Sequence, residues 1–184
     1  MDFCRKTILL LIFSLFITLC YSQVSLTIQN VDITAGTLDI YMTNTAACSY
    51  CADSTYNNNT INWQDIEQLC ELQSTWVAYD PITTEEECAA VPSIDGNGGW
   101  WFNGEIGGFQ FVLSGVTITG ASGGSAESAG FTVVASETTV LIFSVIAATI
   151  PAGAGTLTTI SFSNFDGIGI CLPYNQEGNP TFYT

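Results

Sequence analysis

The sequence predicts an all-β sandwich, and three observations carry that expectation. Residues 24–30, 38–43 and 109–114 alternate apolar and polar side chains, which is the period of a half-buried strand. Glycine and proline turn signals separate such segments at short spacing, as in sandwiches and barrels. The chain has Gly 17 and only two Lys or Arg residues, so it lacks the lysine-faced helices of many globular proteins, and its apolar content is too high for disorder.

Both basic residues, Arg5 and Lys6, precede the apolar run 7–19, and Cys20-Tyr21-Ser22 follows as a small-residue step. This reads as a secretory signal peptide over 1–22. The run is shorter than the ~20 residues that a membrane span needs. The expected mature chain is a single domain over 23–184, long enough for one sizeable core.

Within it, 24–30 and 38–43 read as two strands joined at Ala35-Gly36. The pattern then breaks over about 46–104, an insert between the second and third strands. It holds Cys48, Cys51, Cys70 and Cys88, all four Trp and most of the acids. Residues 62–72 read as a short helix with Asn62 as N-cap and Asp65 near its positive end. Thr84 and Glu87 have capping-box spacing for a second helix running into Cys88. One turn of each is expected. Strands resume at 108, with Phe109, Phe111 and Leu113 on one face. Further strands are expected at 116–119, 131–135, 140–147 and 157–165, and a helical turn at 125–129. Residues 140–146 are almost continuously apolar, as in a strand covered on both faces. Pro151, Gly153 and Gly155 mark the turn that follows.

The order GGFQF (107–111), GVTITGASGG (115–124), AGFTV (129–133) and IPAGAGTLTTISF (150–162) resembles cohesin-like modules of the carbohydrate-binding-module-like β-sandwich superfamily. The resemblance covers about 100 of the mature residues. It implies a nine-stranded jelly-roll sandwich, secreted and non-catalytic, that binds a dockerin-type protein module or a polysaccharide. Two departures stand out. One is the Cys- and Trp-rich insert. The other is the short stretch after Cys171, where related modules continue into a closing strand. A missing closing strand would leave a sheet edge open to self-association.

Charge narrows the function. The formal net charge is −15 with no His. Of 17 carboxylates only Asp2 falls within the expected leader, so 16 remain with no cationic side chain. Such a chain cannot neutralise phosphates, which argues against nucleic acid, and an anionic membrane surface repels it. It has no His nucleophile partner or base and no Schiff-base or phosphate-binding Lys. Two carboxylates can hydrolyse a glycosidic bond, but nothing sets a particular acid beside an aromatic subsite, so no enzyme is expected.

Secretion favours disulfides among Cys48, Cys51, Cys70 and Cys88, with three connectivities open; zinc at the CxxC is the weaker alternative. Cys171 is the odd cysteine, expected as a free or intermolecular thiol. Trp100 and Trp101 follow the glycine-rich 95–99 segment and are candidates for stacking on sugar rings, or else pack against the sandwich. Asp95-Gly96-Asn97 begins like a calcium loop, but Trp100 stands where that loop needs glycine. No cofactor is required; Ca²⁺ held by Asp95, Asp53, Glu105 and Asp166 is the candidate metal site. Asn58 opens an Asn-x-Thr glycosylation sequon.

The sequence therefore points to a secreted, extracellular binding module for protein assembly or adhesion. Polysaccharide binding through the loop Trp residues and a subunit of a fibre or surface layer are the alternatives. Mutual repulsion among uncompensated acids has a direct consequence. Thermal melts at low ionic strength should shift upward on adding NaCl or Ca²⁺, and melts insensitive to both contradict this reading.

Overall fold

A computed structural model describes residues 24–57, 63–80, 84–94, 96, 98–172 and 182–183. In chain order the elements are β1 (Val24–Asp32), β2 (Thr37–Asn44), β3 (Ala47–Cys51), a 3-10 turn (Ser54–Tyr56), α1 (Trp63–Gln73), β4 (Trp76–Asp80) and α2 (Glu85–Ala89). They continue with β5 (Trp100–Phe102), β6 (Gly108–Val112), β7 (Thr117–Ser122), α3 (Gly124–Ser128), β8 (Thr132–Ala135), β9 (Thr139–Phe143), β10 (Gly153–Ser163) and β11 (Phe182–Tyr183). The expected leader 1–22 lies outside the described residues, and no described helix is long and apolar enough to cross a membrane.

The strands form three antiparallel sheets, ordered β1-β2-β10-β7, β11-β6-β9-β8 and β4-β3-β5. Alternation translates directly into burial. Leu38, Ile40, Met42 and Asn44 of β2 point inward while Thr37, Asp39, Tyr41 and Thr43 stay partly exposed, as the two-residue period requires. In the second sheet Phe109 and Phe111 lie across from Ile142 and Val140. These residues of both four-stranded sheets belong to one buried cluster with Leu26, Ile118, Leu157 and Ile160.

One strand is shorter than its apolar run. β9 ends at Phe143, whereas 140–147 was the expected extent. The Ser144 hydroxyl accepts from the Ile146 and Ala148 amides at 3.2 and 2.8 Å, a local arrangement that competes with a sheet ladder. Val145 and Ile146 consequently sit on an exposed loop, each 74% exposed. β9 nevertheless lies between β6 and β8, the interior position its composition predicts.

The chain leaves the two-sheet core after Asn44 and re-enters it at Gly104. Asn44 is 1% exposed. Its amide nitrogen donates to Gly104 O at 2.5 Å and to Pro151 O at 2.9 Å. One side chain thus fastens the outgoing strand, the returning strand and the turn before β10. Gly104 has φ +84°, and a Cβ there would lie 2.5 Å from Ala152 Cβ and 3.0 Å from Ala46 N. Only glycine allows so close an approach with that backbone. Immediately beyond, Ile106 and Ile150 pair through two backbone bonds of 2.9 and 3.0 Å.

Removing the amide at Asn44 strips both carbonyls of their donor. Asn44→Ala should therefore destabilise the protein by about 2–4 kcal/mol, read as a lower urea midpoint at unchanged slope. A change too small to measure contradicts the role of this side chain.

Candidate functional site

The insert builds the third sheet. β3 is its central strand, with β4 on one side and β5 on the other. α1 is longer than the single turn expected, at 11 residues. It buries Ile66 and Cys70, four residues apart on one face, and exposes Leu69 and Leu72, the stripe expected of a surface helix. Its expected N-cap, Asn62, lies outside the described residues. α2 begins as its spacing predicts. The Glu87 amide donates to Thr84 Oγ1 at 3.2 Å, and the Thr84 amide donates to Glu87 Oε2 at 2.8 Å.

Each helix is tied to β3 by a disulfide, Cys51–Cys70 and Cys48–Cys88. This resolves the open connectivity: the two cysteines of the CxxC bond to different helices, not to each other. Closing loops of 19 and 40 residues contributes about 3–4 kcal/mol each in the chain-entropy view. The segment leading into β5 packs directly on one bridge. Gly99 donates its amide to Cys88 O at 2.8 Å, and a Cβ on Gly99 would lie 2.7 Å from Cys48 Sγ. Asn57 is fully buried, and its amide nitrogen donates to Pro92 O at 2.8 Å while its backbone carbonyl accepts from the Ile94 amide at 3.1 Å. That pair of bonds docks the loop after α2 onto the 3-10 turn.

Trp100 and Trp101 are consecutive residues of β5, so they point to opposite faces of the small sheet. Trp101 lies across from Cys48 and Trp100 across from Ser49. The partner of Trp100 is a residue that the sequence ranks as a weaker candidate than Trp100 and Trp101. Trp76 of β4 pairs with Cys51 in register, and its ring centroid is 5.6 Å from that of Trp100 at an interplanar angle of 54°. Both rings are partly exposed. Spacing alone gives no sign that residues 24 positions apart flank one strand; the missed signal is that β3 carries Cys48 and Cys51 between them.

Tyr50 of β3 is paired with Val77. Partial burial, then the charge of Asp80 and the hydrogen bond to it, hold the Tyr50 phenol above the ordinary tyrosine range.

The calcium candidates do not gather. Asp53 Oδ1 caps the 3-10 turn by accepting from the Thr55 amide at 2.9 Å, which lowers its pKa. Asp166 Oδ1 accepts from the Ile168 and Gly169 amides at 2.8 and 3.3 Å. The Glu105 amide donates to Asn103 Oδ1, and its side chain is exposed. Asp95 lies outside the described residues, as does Asn58 of the sequon. Among the described residues no group of three or more His, Cys, Asp or Glu side chains comes together.

Cys171 is disulfide-bonded, where a free or intermolecular thiol was expected; the free thiol is thereby corrected. Its backbone is pinned opposite Ser114 by bonds of 2.9 and 3.1 Å. The other four described cysteines bond to one another. The chain also supplies a further strand after Cys171: β11 pairs with Phe111 and Gln110 on the outer side of β6.

The raised Tyr50 pKa has a definite sign. Its contribution to stability is present below the ordinary tyrosine pKa of about 10 and is lost as pH rises through the higher folded value. Asp80→Asn should lower the Tyr50 ionisation, followed by ultraviolet difference absorbance, part of the way toward that ordinary value while burial keeps it raised; an unmoved titration contradicts the part assigned to Asp80.

Compared with known protein families, curated proteins and solved structures, the chain shows no match.

Proposed function

We propose that the chain is a secreted, non-catalytic binding module of cohesin-like design, serving extracellular protein assembly or adhesion, with the insert as its recognition element. In this reading the two four-stranded sheets are the layers of a jelly-roll sandwich that acts as a carrier. The observation that carries the reading is the insert itself. It is a small sheet braced by two disulfides and fixed to one end of the core by the buried Asn44. Rigid presentation of partly exposed aromatic side chains suits recognition, because little ordering entropy is lost on binding. Two structural disulfides suit an oxidising compartment. The absence of cations after Lys6 leaves aromatic contact, backbone pairing and carboxylate–cation contact as the available chemistry.

Immobilised protein should retain a defined partner protein from native extracellular material. Trp76→Ala with Trp100→Ala should lower that retention by about tenfold or more. Failure to retain any protein contradicts the reading.

Polysaccharide binding is the second reading, favoured by the tilted Trp76–Trp100 pair. Aromatic faces hold sugar rings without charge. It differs from the first in what the same immobilised protein retains, glycans rather than protein.

A further inference from the structure

The sheet edges differ in how they are covered. β7 is fastened to the turn between β8 and β9, where the Ile118 amide donates to Glu137 O at 2.8 Å. The second four-stranded sheet ends in the two-residue β11, paired on β6, and the four-residue β8. The outer strands of the small sheet are five and three residues long. β1 is nine residues long, and among the described residues its segment 25–29 pairs in the sheets with β2 alone.

Natural edge strands are blunted by Lys, Pro, bulges, short length or a covering element. β1 has neither Lys nor Pro, and Asp32 is its first acid. Its one irregularity falls between Gln29 and Asp32, where Asn30 has φ 49°. That irregularity ends the regular run and leaves 25–29 straight. Thr27 and Gln29 are exposed, Ser25 is partly so, and Ile28 is a partly buried residue at the margin of the core cluster.

Charge restricts where two copies can meet. Two copies of this chain repel each other over most of their surfaces, because no described residue is a cation. A contact between copies must therefore avoid carboxylates and cannot use ion pairs. Backbone pairing along 25–29 meets both conditions. The nearest acid in the same sheet, Asp39, lies one strand inward and opposite Gln29. Its carboxylate accepts from Asn30 Nδ2 at 2.8 Å and Thr159 Oγ1 at 2.7 Å.

We propose that β1 is a self-association seam: two copies pair their 25–29 segments antiparallel about a twofold axis, joining their four-stranded sheets into one of eight strands. Such a contact is isologous, with Thr27 near the axis and Ser25 of each copy facing Gln29 of the other. It sets each Ile28 opposite Leu26 of the other copy and adds apolar cover at the core margin. It stands apart from the ligand-binding reading and uses none of the insert.

The test is sedimentation velocity of the chain secreted from its full-length precursor, over a range of protein and NaCl concentrations. A concentration-dependent dimer that strengthens with salt is expected, because salt screens the general repulsion. Thr27→Asp with Gln29→Asp places carboxylates on both sides of the seam. Both side chains face solvent, so its melting curve at high salt should stay near wild type while dimerisation weakens by about tenfold or more. Hydrogen exchange supplies a second readout: the amides in 25–29 that point away from β2 should gain protection only as the dimer forms. A monomer under every condition overturns the proposal. So does a dimer that survives the double substitution, or protection of those amides already complete in the monomer. Ligand retention by the same variant should match wild type, which keeps this outcome separate from the fate of the insert.

Discussion

The structure depends on one buried side chain at a junction. Asn44 terminates β2, yet its amide reaches two carbonyls that belong to the returning strand and to the turn before β10. A chain that departs from a core for some sixty residues needs its exit and entry held together. Otherwise each passage exposes unpaired backbone beside an apolar cluster, and unpaired buried backbone is costly. Asparagine suits the position because its NH₂ group supplies two donors from one short side chain. Gly104 completes the junction by letting the returning backbone come within reach. With the neck closed, the core sheets pair as though β2 ran directly on to β6, and the insert organises around its own bridges.

A second constraint acts on the surface. The chain beyond Lys6 holds acids but no cations, so its carboxylates are placed without ion pairs. Several serve the backbone instead. Asp53 and Asp166 accept amides in turns, Glu87 closes a capping box, and Asp39 takes donors from Asn30 and Thr159, which lowers its pKa. Acids thus share turns and helix starts with Ser, Thr and Asn, as Ser144, Thr84 and Asn103 show. The same scarcity confines recognition to aromatic rings, backbone edges and bound cations. It makes the aromatic pair on the insert and the bare β1 edge the two features with most to offer a partner.

Much of the core was legible in the sequence. Alternation over 24–30, 38–43 and 109–113 reports the side-chain period that burial of a single face imposes, and β1, β2 and β6 follow it. The capping box at Thr84 is a local interaction, so local sequence discloses it. The insert was legible in its two helices and its cysteines but not in its strands. Its cysteine density marked a change of construction, yet β3, β4 and β5 are short, and their pairing depends on contacts between residues far apart. The Trp76–Trp100 contact is of that kind. Adjacent tryptophans suggest one platform until the strand that carries them turns their rings apart. The end of β9 at Phe143 was hidden for the opposite reason: an apolar run continued in sequence while a single serine hydroxyl turned the backbone away from the sheet.

The central claim is that a two-sheet core carries a separately braced insert through a closed neck. Replacing residues 46–103 by two glycines tests it most directly, because Asn44 and Gly104 already lie in hydrogen-bond contact. The account predicts that the shortened chain, studied by circular dichroism and thermal melting, keeps its β signal and unfolds in one cooperative transition. A shortened chain without cooperative unfolding would contradict it, and would mean that core and insert form a single inseparable packing unit.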